Sequence, residues 1–341
     1  MNSSVSKPEA WKVDRDVVLP DTVFELLLQD KTTGRHIIWA TEEKAQEGTD
    51  FVPAAEITVD HVRGPLGEKL IQPRVKKLAS VQSGRTRDKG EVFTPCWVCN
   101  QQNNLVDYAW FGTMAAFNTA RGETWDPVMG HVFFPDPKRS WKKYIDAQRL
   151  EISCGEAPYL VSPYDTVTGE AIPLERRIGL LDRKLRVVTE QTESREEWIF
   201  WSLRALESIY GYEYQGDSLF IARRNVFYTY LDYFEARFHE RPELPLMKKA
   251  ALIISWNLWQ MDGLKCVVPL SCYKVDKGDL FKSDHDESAE KGNRYGECPG
   301  CLHHDVRAHN GMYCRIRDWR SKTTETFISM WKGGITCGNQ H

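Results

Sequence analysis

Apolar positions recur at helical spacing most clearly in the second half of the chain. Leu219, Ala222, Val226, Tyr230 and Phe234 fall on one stripe and predict a helix over 217–238. A second helix is expected over 194–208, where Ser194 stands at the N-cap position and Glu196 and Glu197 occupy the first turn. Short apolar runs at 149–153 and 208–214 predict strands, and 250–256 reads as a strand or a helix end. Strand and helix patterns alternate from 150 to about 270, which argues for a parallel sheet with covering helices. Nearer the N-terminus, 18–28 and 36–41 read as short strands around the turn Lys31-Thr32-Thr33-Gly34. A helix is expected over 93–107, with Thr94 as N-cap, Pro95 just inside, and Val98, Leu105 and Val106 on its apolar face. The stretch 110–141 is rich in aromatic residues, Gly and Pro and reads as a loop-rich insertion.

Composition sets bounds on this picture. The 341 residues are 41% hydrophobic and 27% charged, a globular balance large enough for one or two cores. A formal net charge of -3 excludes a uniformly basic nucleic-acid coat, so any contact with DNA must use a local patch. One such run exists: Lys69, Arg74, Lys76, Lys77, Arg85, Arg87 and Lys89, interleaved with Gln72, Ser80, Gln82, Ser83 and Thr86. Clusters of this kind contact phosphates without reading sequence, and a solvated linker has the same composition. No apolar run approaches a membrane span, and the polar residues 1–12 are no signal peptide. Nine cysteines without a secretory signal point to thiols or metal ligands in a reducing, cytoplasmic setting.

Two segments carry chemistry. The first is Leu150-Glu151-Ile152-Ser153-Cys154-Gly155-Glu156-Ala157-Pro158-Tyr159-Leu160, an acidic residue running from a strand into a tight Cys-Gly turn. A glycine there lets a ligand approach the backbone at a sheet edge, though an ordinary strand turn has the same look. The second is Cys298-Pro299-Gly300-Cys301, a knuckle whose turn aims two thiolates at one tetrahedral ion such as zinc. Cys314 follows, Cys272 is the candidate fourth ligand, and His303, His304 and His309 are alternatives. The pair Cys96 and Cys99 falls within the helix expected over 93–107 and reads as packing.

Four segments in order give the chain a resemblance to the gamma-type N6-adenine DNA methyltransferases of restriction–modification systems, over roughly residues 91–264. Glu91-Val92-Phe93-Thr94-Pro95 is similar to the family's "FTP" motif, which packs over the methionine end of S-adenosylmethionine. Glu151, Cys154 and Gly155 match motif I, with Ser153 and Glu156 as variants and Ala157 in place of its second glycine. Ile209-Tyr210-Gly211-Tyr212-Glu213, followed by 217–225, resembles motif II, which makes Glu213 the expected ribose acceptor. Trp256 to Leu264 resembles motif III, with Asp262 at the adenine amino group. The resemblance implies a Rossmann-like sheet, with Phe93, Thr94, Pro95, Glu151, Cys154, Gly155, Glu156, Glu213 and Asp262 around the cofactor.

One departure limits the implied activity. The family's catalytic Asn/Asp/Ser-Pro-Pro-aromatic tetrapeptide is absent from this sequence, and Ser162-Pro163-Tyr164 matches it only in part. The expected organisation is therefore an N-terminal α+β region with a basic linker over 1–90, a cofactor-binding domain over 91–270, and a zinc-ribbon-like element over 271–341. The expected function is an S-adenosylmethionine-binding, DNA adenine methyltransferase-like component. Its rival is an inactive or split DNA-binding subunit that needs a partner chain to supply chemistry or target recognition.

Overall fold

The computed structural model describes residues 19–64, 67–76, 94–276 and 295–330. The chain enters through helix α1 (Asp21–Leu28), which buries Val23, Phe24, Leu27 and Leu28. The spacing i, i+1, i+4, i+5 of those four residues is one helical face, so the apolar run expected to be a strand is a helix instead. Pro20, in extended conformation, stands at its N-cap. The expected strand at 36–41 is reduced to isolated bridges, Gln29 to His36 and Ile38 to Glu56, on either side of the Lys31–Gly34 turn.

Helix α2 (Cys96–Phe111) begins two residues beyond Thr94, with Pro95 at the N-cap and no side-chain cap. Its buried face is polar: Asn100, Asn103, Asn104 and Asp107 lie inward beside Cys96 and Cys99, while Leu105 and Val106 are exposed. The expected apolar face is thus the outer one. The cause is a cation inside the protein. Arg183 is buried and donates to Asp107 Oδ2 (2.6 Å), Asn100 Oδ1 (2.9 Å) and Asn104 Oδ1 (2.8 Å). A buried guanidinium requires such a set of acceptors. The stretch at 110–141 holds a hairpin of β1 (Asn118–Arg121) and β2 (Thr124–Pro127), then short helix α3 (Trp141–Asp146).

The central sheet follows. Strand β3 (Arg149–Glu151) leads through helices α4 (Leu180–Gln191) and α5 (Arg195–Glu207) to β4 (Ile209–Glu213). Helices α6 (Gly216–Phe238) and α7 (Leu244–Asn257) then lead to β5 (Leu258–Gln260). Ser194 caps α5 as expected, accepting from Glu197 N–H. The three strands are parallel and lie side by side in chain order, with Glu151 opposite Gly211 and Glu213 opposite Gln260. The protein is therefore mixed α/β, with a small parallel sheet.

Side chains alternate across this sheet. Ile209 and Leu258 point into the main core, which α1 and α4–α7 also fill. Residues before position 90 therefore share their core with the residues after it. Arg223 of α6 fastens the layers, donating to Leu27 O (2.6 Å), Gln29 O (3.1 Å) and Leu258 O (2.8 Å). Tyr210 and Trp259 point to the opposite face and pack with Met261, Cys266, Val268, Cys314 and Ile316. That face is covered by parts of the C-terminal segment, including Ile316 of β8; the segment holds β6 (Val275–Asp276) paired with β7 (Tyr295–Gly296), helix α8 (Pro299–His303), and the hairpin of β8 (Arg315–Asp318) and β9 (Thr323–Thr326). Among the described residues, no helix is long and apolar enough to cross a membrane.

Candidate ligand loop and metal centre

Glu151 and Glu213 stand at the carboxyl ends of adjacent parallel strands, and Asp262 lies two residues beyond the end of the third. In open parallel sheets this edge is where ligands bind. Between β3 and α4 the backbone takes a sharp path, with Ser153 (φ 47°), Gly155 (φ 52°) and Ala157 (φ 64°) all in the left-handed region. Ala157 adopts this conformation despite its methyl group, at the cost of local strain. A Cβ placed on Gly155 would meet nothing within 4 Å, so this position faces open space.

Glu213 holds the loop. Its Oε2 accepts from Gly155 N–H (2.9 Å), and its Oε1 from Tyr214 N–H (2.8 Å) and Gln215 N–H (3.1 Å). Cys154 N–H donates to Tyr212 O (2.8 Å), which binds the same loop to the same strand. Glu151 lies beneath and accepts from Tyr159 N–H (3.3 Å) and Leu160 N–H (3.2 Å). Burial pushes its carboxyl up to about 8, against those two donors, and nearby Glu213 adds to the rise. Burial likewise pushes the Cys154 thiol well above its ordinary range, which makes it a packing group rather than a nucleophile.

Glu156 turns inward. Its Oε2 accepts from the Tyr164 hydroxyl (2.5 Å), and Asn225 Nδ2 donates to Glu156 O (3.0 Å) and Tyr164 Oη (3.1 Å). Tyr164 and Asn225 are thus clamps of the loop. The Ser162-Pro163-Tyr164 segment therefore supports the loop, with Ser162 Oγ bonded to Asp182 (3.2 Å).

Thr94 and Pro95 lie against the same region. The Thr94 carbonyl accepts from Thr166 Oγ1 (3.0 Å), and Cys96 Sγ donates to Tyr164 O (3.7 Å). Thr94 is not the N-cap of α2, which corrects that expectation. Phe93 lies outside the described residues. Cys96 and Cys99 are buried packing groups with thiols raised by burial. Asp262 closes a turn: its Oδ1 accepts from Leu264 N–H (3.1 Å), and its Oδ2 lies 3.5 Å from Lys265 Nζ.

Of the segment that carries the basic run, only residues up to 76 are described, and Val75 lies against the turn that follows Tyr164. Residues Arg74–Lys76 form a short 3-10 helix, and a Cβ on Gly169 would meet Val75 Cγ1 at 3.1 Å. Gly169 belongs to the turn that follows Tyr164, and Lys76 is exposed. Lys77, Arg85 and Arg87 lie outside the described residues.

The metal-ligand set comes together at the C-terminal segment. Ligand atoms of Cys272, Cys298, Cys301 and His309 all lie within 4.8 Å of one another. His309 Nδ1 is 3.6 Å from Cys272 Sγ, 3.6 Å from Cys298 Sγ and 3.7 Å from Cys301 Sγ. A tetrahedral site with ordinary zinc–sulfur and zinc–nitrogen bonds has S···N edges of about 3.6 Å. The group can hold a metal such as zinc. Gly300 is required here, because a Cβ would lie 2.5 Å from His309 N. Burial opposes ionisation of Cys298, but donation from Asn310 and Cys301 N–H and from His309 outweighs it and brings the thiol down to about 6.

Cys314 is not part of this group, which corrects the expected ligand set. Its N–H pairs with Cys266 O (3.1 Å) and its Sγ donates to Gln260 O (3.3 Å), so its register turns the thiol into the apolar layer under the sheet. His309 stands in the fourth position of the group, and His303 and His304 lie outside it. No family model, curated protein or solved structure matches the chain.

Proposed function

We propose that this chain is an S-adenosylmethionine-binding, DNA adenine-N6 methyltransferase-like component of a restriction–modification or mobile-element system. Its sheet would then be half of a Rossmann-like doubly wound sheet, and its Cys/His group a structural zinc site. The observation that carries this reading is the Gly155 loop, tied to Glu213 at the carboxyl edge of a parallel sheet and open above the glycine. The Thr94 carbonyl accepts from Thr166, in the turn that follows Tyr164, and Asp262 follows the neighbouring strand. When bound, the cofactor would supply the methyl group. Glu213 would orient the loop and the ribose, Thr94–Pro95 would cover the methionine end, and Asp262 would accept from the adenine amino group. The basic run would contact DNA phosphates next to the loop.

A second reading is a split or inactive subunit working with a partner chain in the cytoplasm. Two observations favour it. The sequence holds no Asn/Asp/Ser-Pro-Pro-aromatic tetrapeptide. Among the described residues, β3 is an edge strand, on the side where the second half of a doubly wound sheet would begin.

Calorimetry with S-adenosylhomocysteine tests the shared premise. The wild-type chain should bind it, and Glu213→Gln should weaken binding by about 1–3 kcal/mol through loss of a charged acceptor. No binding by wild type, with or without duplex DNA, refutes the first reading and leaves the second only as a subunit that binds DNA without cofactor. Tritiated methyl transfer to adenine by the chain alone would reject the second reading and keep the first.

A further inference from the structure

We propose that metal occupancy at Cys272, Cys298, Cys301 and His309 sets the position of Asp262, with Lys265 as the positioning residue between them. The inference deepens the function proposed above, and only its effect on ligand affinity rests on that reading. The loop from Asp262 to Val268 has little apolar anchoring of its own at its tip, where Leu264 is 90% exposed. It is held by backbone pairing instead. Asp262 N–H donates to Val267 O (2.8 Å) and Cys266 N–H to Asp262 O (2.7 Å), which closes the turn. The turn is then stitched to the metal-bearing segment, with Val268 N–H on Met312 O (2.8 Å) and Cys314 N–H on Cys266 O (3.1 Å). Met312 N–H donates to Ser271 Oγ (3.0 Å), next to ligand Cys272 and two residues after Asn310. A Cβ on Gly311 would lie 2.9 Å from Cys272 Sγ, so this strand pair and the ligand sulfur are in close contact.

The metal would therefore clamp the two strands whose pairing fixes Asp262. Without the ion no bond joins Cys272 to Cys298, Cys301 and His309, so loss of metal releases the clamp. Lys265 adds an electrostatic link. Its ammonium is 3.5 Å from the Asp262 carboxylate. Cys301 and Cys272 are also near enough to act on it electrostatically. A centre of one divalent ion and three thiolates carries net negative charge, which a neighbouring ammonium offsets. On the sheet side the turn is pressed against β4, since a Cβ on Gly263 would meet the Tyr212 ring at 2.8 Å. A displaced turn would thus shift Asp262 relative to Glu213.

Amide hydrogen exchange on the full chain, with zinc chloride as the metal, tests this directly. Stripping with a chelator should speed exchange at Asp262, Cys266, Val268 and Cys314 by about tenfold or more, while Cys154 and Met261, whose N–H groups pair with β4 carbonyls, keep their protection. Adding zinc back should restore it. His309→Ala should behave as the stripped protein, and His309→Cys, a four-thiolate site, should recover protection with zinc. Lys265→Gln should retain metal yet speed exchange at Leu264, whose N–H depends on the Asp262 carboxylate, and Lys265→Arg should not. If S-adenosylhomocysteine binds, stripping should weaken it by the same factor by which the ligand tightens zinc. Equal protection with and without metal overturns the clamp, and unchanged Leu264 exchange in Lys265→Gln overturns the role of Lys265. Ligand binding that is indifferent to metal overturns the linkage. Absence of any ligand binding refutes the proposed function instead, and the exchange pattern still decides the clamp.

Discussion

Glu151 is a carboxyl held under the loop it supports, and its environment fixes a pH dependence. In the folded chain burial raises its pKa from 4.5 to about 8. The native state therefore keeps a proton that the unfolded chain releases. The stability this contributes is fully present below about pH 4.5 and is lost as pH rises through 8, with a slope of at most about 1.4 kcal/mol per pH unit. Asp182, raised by burial to about 6, acts with the same sign over a lower window. Urea midpoints measured at pH 5 and pH 8 should fall with pH in the wild type, and Glu151→Gln should reduce that fall. An identical slope in the variant would assign the dependence to other groups. At this scale the sequence was informative about residue type and less so about register. Cys298, Cys301 and Cys272 were readable from the knuckle and its surroundings. The choice between Cys314 and His309 turned on which way one strand faces, and both residues have suitable chemistry.

Among the elements, α2 shows where pattern reading fails and why. Its inward face consists of amides and a carboxylate because Arg183 arrives from α4, 76 residues from Asp107. Nothing local announces that partner. The same applies to α1, whose apolar run fits a short strand until α7 provides a helix to pack against. By contrast, α5 and α6 were legible because a cap and a long stripe state the element without help from afar. Asp107→Ala should cost about 3–5 kcal/mol, since it leaves a buried guanidinium without its carboxylate. Asp107→Leu with Arg183→Met should recover much of that loss. Denaturant midpoints of the three proteins check this, and a cost below about 1 kcal/mol for the single variant would show that the asparagines alone satisfy Arg183.

For the molecule as a whole, the sheet has two unlike faces, one packed on helices and one on the segment that carries the metal ligands. The net charge of -3 makes any affinity for DNA local and not general. Reversing Arg85 and Arg87 to Glu should weaken binding to every duplex sequence alike. Counter-ion release should shrink, lowering the slope of log affinity against log salt by about 0.9 for each phosphate that is no longer neutralised. Titrations at several salt concentrations measure that slope. An unchanged slope would make the run a linker, and a sequence-dependent weakening would move it from phosphate binding to base reading.

The left-handed residue Ser153 has an effect outside the candidate site. Among the described residues no strand pairs with the outer edge of β3, and an unpaired edge with exposed Leu150 and Ile152 is a template on which another strand could add, the route to aggregation. Strand β3 offers only three residues of that template, a ledge of about 10 Å, before the chain turns away at Ser153. Restoring an extended conformation there would lengthen the ledge and lower the concentration at which the protein stays in solution. The bend that shapes the Gly155 loop thus also limits how far copies of the molecule can zip together.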